Sequence, residues 1–182
     1  LGYGGHTQEM LKCLQSKGHL YALDVDTIEM AKTRERLLKL GYGPEILTIR
    51  QLNFAHIDQV AAEAGRFDFV LADLGVSSMQ IDNPERGFSF KKDGPLDLRL
   101  DSEKGIPASQ RLMTISREEL QGMLIENSDE PYAEEIAKAI VNEIKRGNEI
   151  TTTTRLREVI ETALSFIPEA DRKEAVKKSC QR

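Results

Sequence analysis

Apolar positions recur with two different rhythms along this chain, and the change between them falls near residue 100. In the first seventy-odd residues, stretches of helical period alternate with short apolar runs. Met10, Leu11 and Leu14 share one face of a helix predicted over Thr7 to Lys17, stopped by Gly18. The run "HLYALD" follows as a buried strand ending in Asp24. Asp26 with Glu29 forms a capping-box pair for a second helix that runs to Leu40 and stops at Gly41. "EILTIRQ", rich in β-branched residues, reads as the next strand, His56 to Ala64 as a helix, and "RFDFVLAD" as a further strand ending at Asp73. Strands alternating with helices imply a parallel sheet covered on both faces.

Beyond Leu100 the strand rhythm is gone. Ser116 and Glu119 cap a helix carrying Leu120, Met123 and Leu124. A longer helix follows Pro131, with Ile136, Ile140, Val141 and Ile144 on one face and Gly147 as its stop. A third runs from about Thr154 to Phe166 with Leu156, Val159, Ile160 and Leu164 inward, while the four threonines before it form a loop and cap. The expected organisation is therefore an α/β part over residues 1–100 and an all-helical part over 101–182. The stretch joining them, "SSMQIDNPERGFSFKKDGPLDLRLDSEKG", is long and rich in Gly, Pro and Asp, as functional loops often are. Phe88 and Phe90 lie in it among Arg and Lys, which suits either nucleotide contact or burial as loop anchors.

Composition narrows the class. The 182 residues are 40% hydrophobic and 30% charged, which suits a globular domain and argues against disorder. No apolar stretch is long enough to span a bilayer, and no membrane partner is expected. Cys13 and Cys180 are isolated, with no histidine at zinc spacing, and read as free thiols of a cytoplasmic protein with no metal site. A net charge of −5 disfavours a broad nucleic-acid footprint but leaves room for a local basic face. Basic residues gather at Arg86, Lys91, Lys92 and Arg99, and again at Arg172, Lys173, Lys177, Lys178 and Arg182; acids lie among both groups, as on an ordinary solvated surface.

Candidate chemistry collects where the strands end. Ligands of doubly wound sheets bind beyond the carboxyl ends of the strands. The glycine-rich turn of Gly2, Gly4, Gly5 and His6 leads into the first helix there, Asp24 ends a strand about 20 residues later, and Asp73 ends another. A carboxylate in the position of Asp24 can accept both ribose hydroxyl protons, so the three features together favour an adenosine-containing cofactor. The dinucleotide fingerprint needs a third glycine where this chain has Thr7, which disfavours NAD. S-adenosyl-L-methionine has no phosphate and asks of the turn only a close backbone approach.

The segments "GYGGHT", "ALDVD", "LADLGVSSMQIDNPERGFSFKKDGPLDLRLD" and "AEEIAKAI" resemble the bacterial RsmH (MraW) family along essentially the whole chain. That resemblance implies a class I methyltransferase with a Rossmann-like parallel sheet, incomplete here, and a helical substrate-recognition domain inserted after the fourth strand. It implies methylation of cytosine N4 in the decoding centre of 16S ribosomal RNA, with S-adenosyl-L-methionine as cofactor and the small ribosomal subunit as partner. It also implies cofactor contacts from Gly4, Gly5, His6, Asp24, Phe54, Asp73 and Gln80. The family has an acidic strand end ahead of the glycines and a strand that re-enters the sheet after the helices; the sequence starts and stops short of both, so it is expected to be an internal piece of a longer protein. The amino group of cytosine is a poor nucleophile because its lone pair is delocalised into the ring. Asp73 or a neighbouring carbonyl is expected to accept an N4 proton, with pure cofactor contact as the other role for Asp73. A non-catalytic RNA-binding module on the same fold is the alternative to the enzyme.

Overall fold

The computed structural model describes all residues from 1 to 182. They form two compact units: residues 1–77 with 100–103, and residues 78–99 with 104–182.

The first unit is built on one parallel strand pair and its crossover helix. Helix α1 (Gly5–Leu14) leads to β1 (Leu20–Asp24), α2 (Thr27–Lys39) and β2 (Leu47–Gln51), followed by a 3-10 turn at residues 54–56 and α3 (Ile57–Ala64). The strands pair in parallel from Leu20 opposite Leu47 to Asp24 opposite Gln51, which needs the crossover that α2 supplies. Apolar positions of α1, both strands and α2 meet in a core of Leu11, Leu20, Ala22, Leu37 and Leu47, with Leu37 wholly buried. Complete burial of one leucine contributes roughly 1.5–3 kcal/mol. The Asp26 half of the expected capping box is present, its carboxylate oxygen accepting from the backbone N–H groups of Ile28 and Glu29, while the Asp26 N–H donates to Asp24 and Glu29 accepts from Lys32. Helix α1 is shorter than its apolar period suggests, because Gln15 and Ser16 take left-handed backbone angles and end it before Gly18.

The segment 66–73 differs from its sequence pattern. The sheet of this unit has two strands, and "RFDFVLAD" is not among them. A strand forms only where a neighbour takes its N–H and C=O groups, and no such neighbour flanks this segment. Phe69 and Val70 are accordingly 66% and 61% exposed.

The second unit is helical. Its elements are α4 (Ser78–Asp82), a 3-10 turn at 84–86, α5 (Ala108–Thr114), α6 (Arg117–Ser128), α7 (Ala133–Lys145), α8 (Thr153–Ala163) and α9 (Glu169–Gln181). The buried faces of α6, α7 and α8 supply Leu120, Ile136, Ile140, Val159 and Ile160 to one core. Ser116 Oγ accepts from the Glu119 N–H and starts α6, and Thr152 does the same for α8 through the N–H of Arg155. Met123, expected on the apolar face of α6, is exposed instead, because α6 buries the side carrying Leu120 and Leu124. Helices α5 and α9 carry little apolar period; α9 is held by Val176 and by Arg172, whose guanidinium donates to the carbonyls of Ser165 and Ile167.

Residues 78–99 belong to this helical unit, so the boundary at Ser77 precedes the change of rhythm near residue 100. Leu96 is buried in the helical core, its N–H donates to the Thr151 carbonyl, and the Thr153 N–H donates to the Gly94 carbonyl. Two glycines permit the path of this loop. A Cβ on Gly87 would lie 2.2 Å from the Pro95 carbonyl oxygen, and one on Gly94 would lie 2.1 Å from that of Pro84.

Candidate functional site

The glycine turn of the first unit is fixed from two sides. Gly4 has φ +80°, a left-handed angle natural to glycine, and a Cβ there would stand 2.7 Å from the Thr33 methyl of α2. Thr33 Oγ1 also donates to the Gly2 carbonyl at 2.8 Å. Opposite it, the Gly2 N–H donates to Asp24 Oδ2 at 2.7 Å, at the carboxyl end of β1. Asp24 Oδ1 accepts from the Asp26 N–H at 3.0 Å, so one carboxylate ties the turn to the start of α2. A carboxylate offers about four lone-pair sites, and these two bonds leave acceptor capacity for a hydroxyl.

Sequence pattern did not point to Tyr3 and Arg36, which complete the support. The Arg36 guanidinium lies 3.9 Å from the centre of the Tyr3 ring. Its Nε and Nη2 are buried without a hydrogen-bond partner, so the ring face is what the cation meets. The signal available was the spacing of Thr33, Arg36 and Leu37 along one face of α2.

Around this turn the structure gathers part of the expected set. His6, in the first turn of α1, places Nδ1 3.0 Å from Asp73 Oδ2. Both side chains are about two-thirds exposed, so this pair contributes on the order of 0–1 kcal/mol and serves to locate Asp73 rather than to hold the fold. Gly5 opens α1 with free space where a Cβ would be. Phe54 starts the 3-10 turn just after β2, 60% exposed, and Leu52 beside it donates its N–H to the Asp24 carbonyl. Asp24 thus ends β1 and Phe54 follows the carboxyl end of β2. Gln80 lies in the other unit, buried on α4.

The donor and acceptor set suits an adenosine cofactor: a partly exposed carboxylate with spare acceptors, an exposed aromatic face, and a turn open at Gly5. It contains no cluster of His, Cys, Asp or Glu able to hold a metal ion. No helix is long and apolar enough to cross a membrane.

Comparison with known proteins decides the family. A model of the MraW methylase family matches residues 1–182. The chain belongs to that family. It is 76% identical over 182 residues to "Ribosomal RNA small subunit methyltransferase H 1" of Lachnoclostridium phytofermentans, covering all of this chain and 50% of that protein. It is 66% identical to "Ribosomal RNA small subunit methyltransferase H 2" of Alkaliphilus metalliredigens, again over the whole chain and 52% of the relative. With "Ribosomal RNA small subunit methyltransferase H 1" of Agathobacter rectalis the identity is 64%, with the same coverage of 100% and 52%. The chain spans about half the length of the curated relatives it matches.

Proposed function

We propose that this chain carries the cofactor-binding part of an S-adenosyl-L-methionine-dependent methyltransferase that modifies cytosine N4 in 16S ribosomal RNA. The observation that carries the reading is the family match across every residue, joined to relatives whose names specify a small-subunit ribosomal RNA methyltransferase. Its substrate is RNA of the small ribosomal subunit, and its compartment the cytoplasm.

The bound cofactor supplies an electrophilic methyl group on a sulfonium centre. Gly4, Gly5 and His6 would give it a close backbone approach, Asp24 would accept from its ribose hydroxyls, and Phe54 would offer an apolar face to its adenine. Asp73 and Gln80 complete the proposed set. The remaining task falls to side chains that orient the base. N4 must stand in line with the methyl carbon, and an acceptor for one of its protons favours a pyramidal nitrogen. Asp73 is the proposed acceptor, since its carboxylate lies beside His6 at the mouth of the glycine turn. The target base has to leave its stack to reach such a site.

Calorimetric titration of the intact protein with S-adenosyl-L-methionine and with NAD, followed by methyl transfer to 16S RNA, tests this reading. Binding of the first cofactor alone, with transfer to N4, is the expected result. NAD binding would replace the reading by nicotinamide chemistry, and RNA binding without either cofactor would leave a non-catalytic module.

A further inference from the structure

A groove of about 200 Å³ opens in the helical unit, lined by Ile81, Asp82, Pro84, Ser89, Lys91 and Lys92. Its chemistry is asymmetric. Lys91 and Lys92 are exposed, and neither ammonium group has an ion-pair partner. Ser89 Oγ accepts from the Lys91 N–H at 3.3 Å, and its hydroxyl keeps a proton to donate. Two ammonium groups and a hydroxyl give the lining residues three donor groups. The Asp82 carboxylate is the groove's one acidic acceptor.

The groove is also held in shape before anything enters it. Gly87 and Gly94 let the two limbs of the loop cross closely, at the Pro95 and Pro84 carbonyls. Thr153 Oγ1 donates to the Lys92 carbonyl and Thr154 to the Asp93 carboxylate, which anchors the limb carrying both lysines to the start of α8. Such prior ordering reduces the entropy lost when a ligand binds.

We propose that this groove binds one phosphodiester–ribose unit of a single-stranded RNA, with Lys91, Lys92 and Ser89 on the phosphate and Asp82 on the 2′-hydroxyl. The inference rests on the reading of the substrate as RNA and adds where and how its backbone is held. Phosphate oxygens are pure acceptors and match the three donors. A 2′-hydroxyl can donate to Asp82, which gives the carboxylate a role beside a phosphate and distinguishes RNA from DNA. The groove has no aromatic wall on which a base would stack, so it reads backbone and not sequence.

The test measures binding of a fluorescein-labelled single-stranded RNA, and of the DNA of the same sequence, to the intact protein over a series of salt concentrations. Removing one cation from the phosphates of a single strand flattens the slope of log K against log salt by about 0.7. Replacing both residues, K91A with K92A, is expected to reduce that slope by about 1.4 and to weaken unrelated RNA sequences alike, with S-adenosyl-L-methionine affinity unchanged. The charge-retaining pair K91R with K92R keeps the wild-type slope, which separates an effect of charge from an effect on folding. Asp82→Asn narrows the preference for RNA over DNA. An alanine pair with the wild-type slope overturns the proposal, as does an equal weakening in the arginine pair. A wild-type protein that binds no RNA overturns the functional reading itself, and this inference with it.

Discussion

The Gly2 backbone N–H donates to the Asp24 carboxylate at 2.7 Å, so the residue proposed to bind a ribose also holds the glycine turn in position. Asp24→Ala removes both acceptors at once. Hydrogen bonds to a charged acceptor are worth about 1.5–3 kcal/mol, so the cofactor should bind roughly tenfold or more weakly. Calorimetry on the intact protein reads this directly, and an unchanged Kd removes Asp24 from the site.

Asp73 separates binding from chemistry. If its carboxylate accepts an N4 proton, Asp73→Asn lowers the single-turnover methylation rate by a factor on the order of 100, the cost of losing one preorganised polar group. Cofactor affinity should move only a few-fold, because an amide oxygen keeps an acceptor in place. A collapse of affinity with a normal rate at saturating cofactor would make Asp73 a binding residue alone.

Two glycines in the helical unit should respond in opposite directions. Gly94→Ala drives a Cβ against the Pro84 carbonyl and is expected to destabilise by about 1–3 kcal/mol. Gly122 lies within α6 with free space where its Cβ would be, so Gly122→Ala should stabilise by roughly 0.5–1 kcal/mol. Chemical denaturation of both variants checks the pair; a destabilised G122A or a neutral G94A contradicts the packing described.

Asp97 makes the loop sensitive to acid. Its hydrogen bonds from the Arg99 side chain hold the carboxyl below its ordinary value of 3.8, with the Arg99 backbone N–H adding to the effect. A carboxyl lowered in the folded state stabilises above its unfolded pKa, and that contribution disappears as pH falls through the folded value. Thermal melts of Asp97→Asn should therefore show a deficit at neutral pH that shrinks on acidification below 3.8. A deficit independent of pH would assign the loss to packing.

Local rules made much of the site legible. The Asp26 and Ser116 caps depend on residues a few positions apart, and Asp24 is reached from the glycine turn through one helix and one strand; each appears in the structure where the pattern puts it. Segment 66–73 has the composition of a strand, but pairing depends on a distant neighbour that composition does not report. Helix α9 escaped for the opposite reason. Its stability comes from Val176 and from the Arg172 bonds to the turn after α8 rather than from an apolar stripe. The crossing at Gly87 and Gly94 is likewise tertiary, invisible in a sequence where glycine signals only a turn.

That crossing divides labour on the loop between residues 84 and 96. Its path depends on two glycines pressed against carbonyls, and Arg86 is buried beside them in sequence, while Lys91 and Lys92 face solvent. The outward residues can therefore be exchanged without redrawing the backbone. Ser89, Lys91 and Lys92 form a replaceable surface on a fixed frame, and a redesign of what this protein grips could begin there and leave the frame alone.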